Sequence, residues 1–197
     1  AVKPFYEPRR GFTNYRFNEL ERDRVARRIA ADGRLAAAAG PWVFAGTLKG
    51  GGEFRIELSD TEALIDLPTG TSRVDATGEL DSNPGPPGSG GMLAALILWR
   101  RLLLEGPKPL GRTTYWGTVP LDPRSLAEGD EPQLVDMLES AVAGVETRFT
   151  VAEDGSVARV ELWTAPDADP CELSFAAPPP GRMRAVPAGI PGVIEAR

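Results

Sequence analysis

The pattern of apolar positions changes several times along the chain, and its most unusual stretch covers residues 89–105. Positions 92–99 read MLAALILW, eight apolar residues in a row, and two arginines follow them. A surface helix keeps a polar face, whereas a helix that is apolar on every side must be covered. The pattern therefore predicts a buried central helix over residues 89–105. We expect Ser89 to be its N-cap and Gly106-Pro107 to end it.

Apolar and polar residues alternate with a period of two on both sides of this helix. Before it, the alternation predicts strands over residues 42–49, 54–58, 61–67 and 71–75, with turns at 50–52 and 68–70. After it, strands are predicted over residues 112–119, 133–140, 144–151, 157–163 and 171–175, with a weaker one near 193–196. This period is typical of antiparallel sheets with one buried face.

A second helix is predicted near the N-terminus, over residues 14–32. Phe17, Leu20, Val25 and Ile29 fall near one of its faces, and Gly33 is the expected stop. Arginines and carboxylates alternate on the remaining surface, which favours a solvated face with ion pairs over an anion site.

These elements predict an α+β fold. We expect one strongly curved antiparallel sheet, an open half-barrel, packed on the N-terminal helix and the central apolar helix. Residues 1–12 are predicted to be a linker or arm, because Pro4 and Pro8 prevent a regular helix there. Residues 13–197 are predicted to form a single domain, with a proline-rich C-terminal segment at 176–197.

Composition and charge narrow the classes of partner. The chain has 197 residues, of which 42% are hydrophobic and 25% charged, a balance typical of a globular protein. A net charge of -6 argues against a nucleic-acid surface and predicts no attraction to an anionic membrane. The apolar run at 92–104 is too short, and too interrupted by arginine, to span a bilayer.

Few residues are suited to catalysis. The chain contains no histidine and one cysteine, Cys171, which excludes histidine-based triads, histidine metal sites and an intrachain disulfide. We expect Cys171 to be a buried structural thiol. The glycine-rich segment 85–91 lacks the lysine of a phosphate-binding loop, and the acidic segment 167–172 reads as a polar connection. The sequence thus predicts no enzyme, no metal and no cofactor.

The apolar surface itself is the remaining candidate site. It is either a plain core between sheet and helix or an apolar cavity with the helix as its lid. The residues that would line such a cavity are Trp42, Phe44, Phe54, Ile56, Met92, Leu96, Trp99, Trp116, Phe149 and Trp163.

The order of elements resembles the LolA-like family of periplasmic lipoprotein carriers. Two stretches carry the resemblance, RGFTNYRFNELERDRV at 10–25 and GVETRFTVAEDGSVARVELWTAPDADPCELSF at 144–175. It covers residues 11–197 and implies an open half-barrel closed by helices. Sequences similar to the first stretch occur in exported multidomain bacterial proteins, sometimes after trypsin-like protease and PDZ domains. The proline-rich tail departs from the family, which usually makes closing strands there.

Two functions are therefore expected, both at a periplasmic or otherwise exported location. The first is a non-catalytic binding domain that holds an apolar ligand (an acyl chain, a lipoprotein or a hydrophobic peptide) between a concave sheet and the helix 89–105. The alternative is a structural or interaction module of a larger exported protein, with a dry core and no ligand. The expected partner is thus an apolar ligand or a protein, without nucleic acid and without a membrane-spanning segment.

Overall fold

The computed structural model describes residues 12–31, 39–48, 51–78, 80, 85–121, 131–142, 144–165, 167–176 and 193–196. Its helices are α1 (Phe12–Ala31) and α2 (Met92–Glu105), with a 3₁₀ turn at Lys108–Leu110. Its strands are β1 (Trp42–Thr47), β2 (Glu53–Leu58), β3 (Glu62–Leu67), β4 (Gly70–Asp75), β5 (Arg112–Pro120), β6 (Leu134–Val142), β7 (Val145–Val151), β8 (Val157–Trp163), β9 (Cys171–Ala176) and β10 (Val193–Ala196). The α+β class is confirmed. The expected arm, the stop at Gly33 and most of the proline-rich tail lie outside the described residues.

The first sheet is an antiparallel meander in the order β1-β2-β3-β4. Ile56 stands opposite Phe44 on one side and Ile65 on the other, so apolar residues share one face of the sheet. Ile56 and Ile65 are fully buried, whereas their neighbours Arg55 and Asp66 on the other face are exposed. One wet and one dry face is the arrangement that alternation predicts.

The second sheet is also antiparallel, in the order β10-β9-β8-β7-β6-β5. A row of directly opposed residues, Leu138, Phe149, Val160 and Leu173, crosses four of its strands. All four side chains are inaccessible to solvent. The weak strand predicted near the C-terminus is present, because β10 pairs with β9 at the sheet edge.

The strands form two sheets, and the prediction of one continuous sheet is wrong in this respect. No strand of the first sheet pairs with a strand of the second among the described residues. Local alternation predicts strands but contains no information on which strands pair over long separations.

Helix α2 packs against both sheets, which explains why it is apolar on every side. Ile97 lies beside Leu58 and Ala76, in the region of the first sheet. Trp99 stacks on Phe175 of the second sheet. Positions 97 and 99 are about 200° apart around a helix, so the two sheets contact opposite sides of α2.

The start of α2 differs from the prediction. Gly91 is its N-cap, with φ 86° and no side-chain hydrogen bond, so the prediction of Ser89 as the cap is wrong. A Cβ at Gly91 would lie 2.9 Å from the side chain of Leu162, and glycine permits this close approach to β8. Ser89 contributes its backbone carbonyl instead, which accepts a hydrogen bond from the N–H of Met92 at 3.0 Å. The predicted end at Gly106 is confirmed.

Candidate functional site

Three aromatic rings connect the first sheet, α2 and the second sheet. Trp42 of β1 meets Trp99 of α2 edge-on, with ring centroids 5.0 Å apart. Trp99 in turn stacks on Phe175 of β9 at 4.1 Å. Offset and edge-on contacts of this kind stabilise a core beyond the burial of area alone. We call these rings the aromatic column, and they connect both sheets to α2.

Eight of the ten candidate lining residues belong to the core that surrounds α2. These are Trp42, Phe44, Phe54, Ile56, Met92, Leu96, Trp99 and Phe149. Five of them are buried, and Phe44, Phe54 and Met92 are partly buried at its margin. Phe54 lies over Gly46 on the neighbouring strand, where a Cβ would be 2.8 Å from the ring.

A small pocket lies at the end of α2 toward the first sheet. Its volume is about 20 Å³, and its lining is Leu58, Ser59, Asp60, Ala76, Ile97, Arg100, Arg101 and Glu105. This volume is sufficient for about one water molecule and far too small for an acyl chain. Arg100 donates hydrogen bonds to the carboxylate of Asp60 at 2.5 Å and to the carbonyl of Gly40 at 3.0 Å, which anchors the helix to the preceding loops.

The other two candidates, Trp116 and Trp163, lie on the opposite face of the second sheet. Tyr115 turns inward, so Trp116, the next residue along β5, points outward by alternation, and the ladder shifts in a β-bulge between Tyr115 and Gly117. Trp163 follows the buried Leu162 and therefore faces outward by alternation. The prediction that both rings point into the core is wrong.

On that outer face, the guanidinium of Arg148 lies between the two tryptophans. Its carbon is 4.4 Å from the ring centroid of Trp116 and 4.6 Å from that of Trp163. Arg148 also donates to Glu139 at 3.1 Å and to Glu146 at 2.8 Å. We call Trp116, Arg148 and Trp163 the Trp–Arg–Trp stack. Trp116 is 53% exposed, so this stack presents an aromatic surface to solvent.

A charged cluster that the sequence did not predict joins α1 to the second sheet. Asp136 accepts hydrogen bonds from Arg24 at 3.1 and 2.8 Å, from Arg28 at 2.5 Å and from the hydroxyl of Tyr115 at 2.9 Å. Burial of Asp136 acts to raise its pKa, but these hydrogen bonds outweigh burial and lower the pKa below its ordinary value. Burial and the bond to Asp136 together raise the pKa of Tyr115 to about 12.

Helix α1 also covers part of the free edge of the second sheet. The side-chain amide of Asn18 donates to the carbonyl of Tyr115 at 2.6 Å and accepts from its N–H at 3.0 Å. It thus replaces the hydrogen bonds that a neighbouring strand would make, which protects an edge strand from pairing with another chain.

Cys171 is buried in β9, as predicted. Burial, together with the nearby charge of Glu172, raises the pKa of the thiol to about 11, which disfavours the reactive thiolate.

Within the described ranges no group of three or more cysteine or acidic side chains is arranged to hold a metal ion. None of the helices in the described part of the chain is long and apolar enough to cross a membrane.

No family model, curated protein or solved structure matches the chain.

Proposed function

We propose that this chain is a non-catalytic interaction module with a filled core, an accessory part of a larger exported protein. In this function α2 is a fixed structural element, and partners bind at the surface. The observation that carries the proposal is the burial of α2. Leu96 is 1% exposed and Trp99 is 2% exposed, and the aromatic column joins the helix to both sheets.

Substitution of Leu96 by aspartate tests this proposal. A filled core cannot accept an unpaired carboxylate, which costs several kcal/mol, so Leu96→Asp is expected to unfold the protein at room temperature. The measurement is circular dichroism with a denaturant titration. Leu134→Asp is the matched control, because Leu134 is 58% exposed on β6 and should tolerate the same change. A folded Leu96→Asp protein with nearly unchanged melting would contradict the filled core.

A second candidate, the apolar-ligand carrier implied by the LolA-like resemblance, is supported by the backbone before α2. Gly88, Gly90 and Gly91 all have positive φ, a conformation that glycine adopts without strain. Such a segment could act as a hinge that lets α2 lift as a lid from a half-barrel. Phe44, Phe54 and Met92, partly buried at the margin of the core, would then meet the ligand first.

Displacement of a fluorescent fatty acid distinguishes the two candidates. The carrier requires saturable binding in the wild type that weakens in Leu96→Asp while the sheets stay folded. The interaction module requires no saturable binding at high micromolar probe, and native mass spectrometry of the purified protein should show the mass of the chain alone.

A further inference from the structure

We propose that the Trp–Arg–Trp stack is the docking surface for an arginine-bearing peptide segment of a partner protein. This inference rests on the proposed function, because it names the partner of an interaction module. It concerns the outer face of the second sheet, which does not contact α2, and its test is independent of what lies beneath that helix.

The stack has the composition of an interaction hot spot. Tryptophan and arginine are the residues most often found at the energetic centres of protein interfaces. Trp116 is the most exposed tryptophan among the described residues, and it stands on β5 at the edge of the sheet. Exposing an indole to this extent is unfavourable in an isolated chain, since its burial by a partner would remove a large apolar area from water.

The stack is held in place before any partner arrives. Arg148 is fixed from two sides by Glu139 and Glu146, and its planar group separates the rings of Trp116 and Trp163. Because the rings need not be ordered on binding, less conformational entropy is lost when a partner docks.

Charge on the same face selects the class of partner. Glu139, Arg148, Glu161 and Glu172 stand opposite one another in a row across four strands. Glu146 and two further arginines, Arg112 and Arg159, lie on the same face. On this face, strands β5 to β9 therefore carry four carboxylates and three guanidinium groups. The whole chain has a net charge of -6. A cationic partner is therefore attracted, and an anionic one is repelled.

The aromatic rings select arginine among cations. A planar guanidinium stacks on an indole face, as that of Arg148 already lies over the ring of Trp116, and the carboxylates nearby can accept its hydrogen bonds. A neutral saccharide could also stack on Trp116 and donate hydroxyl hydrogen bonds to the carboxylates, but it would lack the charge attraction that a guanidinium gains there. We therefore assign the surface to an arginine-bearing segment.

The test uses a fluorescein-labelled peptide of alternating glycine and arginine and a matched peptide with citrulline, the neutral isostere of arginine. Fluorescence anisotropy is expected to give a dissociation constant of about 1 mM or tighter for the arginine peptide. Trp116→Ala should weaken this binding about two- to fivefold, the loss of one exposed cation–π contact. Trp116→Phe should retain part of it. Val43→Ala is the control, because Val43 is 52% exposed on β1 of the other sheet and should leave the affinity unchanged.

Three results would overturn the assignment: no binding of the arginine peptide, equal binding of the citrulline peptide, or equal affinity in Trp116→Ala and Val43→Ala. Binding of a soluble β-glucan oligosaccharide that is lost in Trp116→Ala would identify a saccharide platform instead. None of these binding results bears on the filled core, which is tested separately by the unfolding of Leu96→Asp. Failure of this inference is therefore distinguishable from failure of the proposed function.

Discussion

Asp136 joins α1 to the second sheet through a cluster of hydrogen bonds and ion pairs. Its side chain is 8% exposed and accepts hydrogen bonds from two arginines of the helix and one tyrosine of the sheet. Removing one charge from a buried ion cluster leaves the opposite charges buried without a partner, which strongly destabilises the folded state. Arg24 is 41% exposed, however, so water can partly replace the hydrogen bonds that its guanidinium would lose without Asp136.

Asp136→Asn is expected to lower the free energy of unfolding by about 2 kcal/mol. The measurement is urea denaturation at neutral pH. Glu57→Gln is the control, because the Arg55–Glu57 pair is exposed and its loss should cost less than about 0.5 kcal/mol. Equal effects of the two substitutions would show that the cluster contributes nothing beyond a surface ion pair.

The same substitution should change the response to acid. The pKa of Asp136 is lower in the folded state than its ordinary value of 3.8, so the folded state holds this proton less tightly than the unfolded chain does. The stabilisation is present above pH 3.8 and is lost as the pH falls through the folded-state pKa. The gap in stability between wild type and Asp136→Asn should therefore narrow below pH 4.

The sequence contains part of the signal for this cluster. Arg24 and Arg28 are four residues apart and share a helix face. Asp136 is the one acidic residue in the segment LVDML, which is otherwise apolar. Each observation is local, and nothing local connects a helix to a strand more than a hundred residues later. Periodicity therefore could not predict the cluster, although the sequence contains both the arginine pair on the helix and the acidic residue on the strand.

At the scale of elements, periodicity was sufficient for the strands and for the burial of α2. The starts and ends of the predicted strands agree with the structure to within a few residues. The errors arise where a distant contact decides a local choice. Gly91, and not Ser89, is the cap, and the approach of β8 at this position requires a residue without a side chain. Trp116 points outward because Tyr115, the residue before it, takes the inward position and donates its hydroxyl to the distant Asp136.

A pair of glycine substitutions tests how closely α1 is docked on the second sheet. Gly144 and Gly155 both occupy turns with positive φ, 81° and 90°, so alanine costs about 1 kcal/mol of backbone strain at either one. Gly144 has open space around it, whereas a Cβ at Gly155 would fall on the carbonyl oxygen of Arg28 in α1. Gly155→Ala is therefore expected to destabilise by about 1–3 kcal/mol more than Gly144→Ala, the usual cost of overpacking.

Thermal unfolding of the two variants provides the comparison. If both lose the same stability, α1 can shift away from the turn without cost, and its docking is loose. If Gly155→Ala also removes the acid sensitivity attributed to Asp136, then the helix has moved far enough to break that cluster as well.

At the scale of the whole molecule, the central question is whether α2 and the two sheets open together or separately. The aromatic column joins all three, and the second sheet continues past it with the buried row from Leu138 to Leu173. The proposed carrier and the proposed interaction module make different predictions here, since a lid must move while its sheets remain folded. The reactivity of the buried thiol of Cys171 can report whether α2 moves.

Cys171 lies beneath the start of α2. A Cβ added at Gly91, the N-cap of the helix, would be 3.6 Å from the Cβ of Cys171. Its thiol is buried and its pKa is raised to about 11, so a thiol reagent can react only after an opening. In a filled core, opening requires global unfolding. The free energy from labelling should then equal that from denaturation, and both should fall with urea along the same slope.

A lid predicts a different dependence. Lifting α2 would expose Cys171 at a free energy well below that of global unfolding, with little dependence on urea, because little new surface is exposed. The control is Cys171→Ser combined with Thr118→Cys, which places the thiol at an exposed position of β5 and reports the rate of the chemical step. Labelling of Cys171 that is independent of urea would assign α2 to a moving lid and would contradict the filled core. A slope equal to that of global unfolding would show that α2 and the sheets open as one unit.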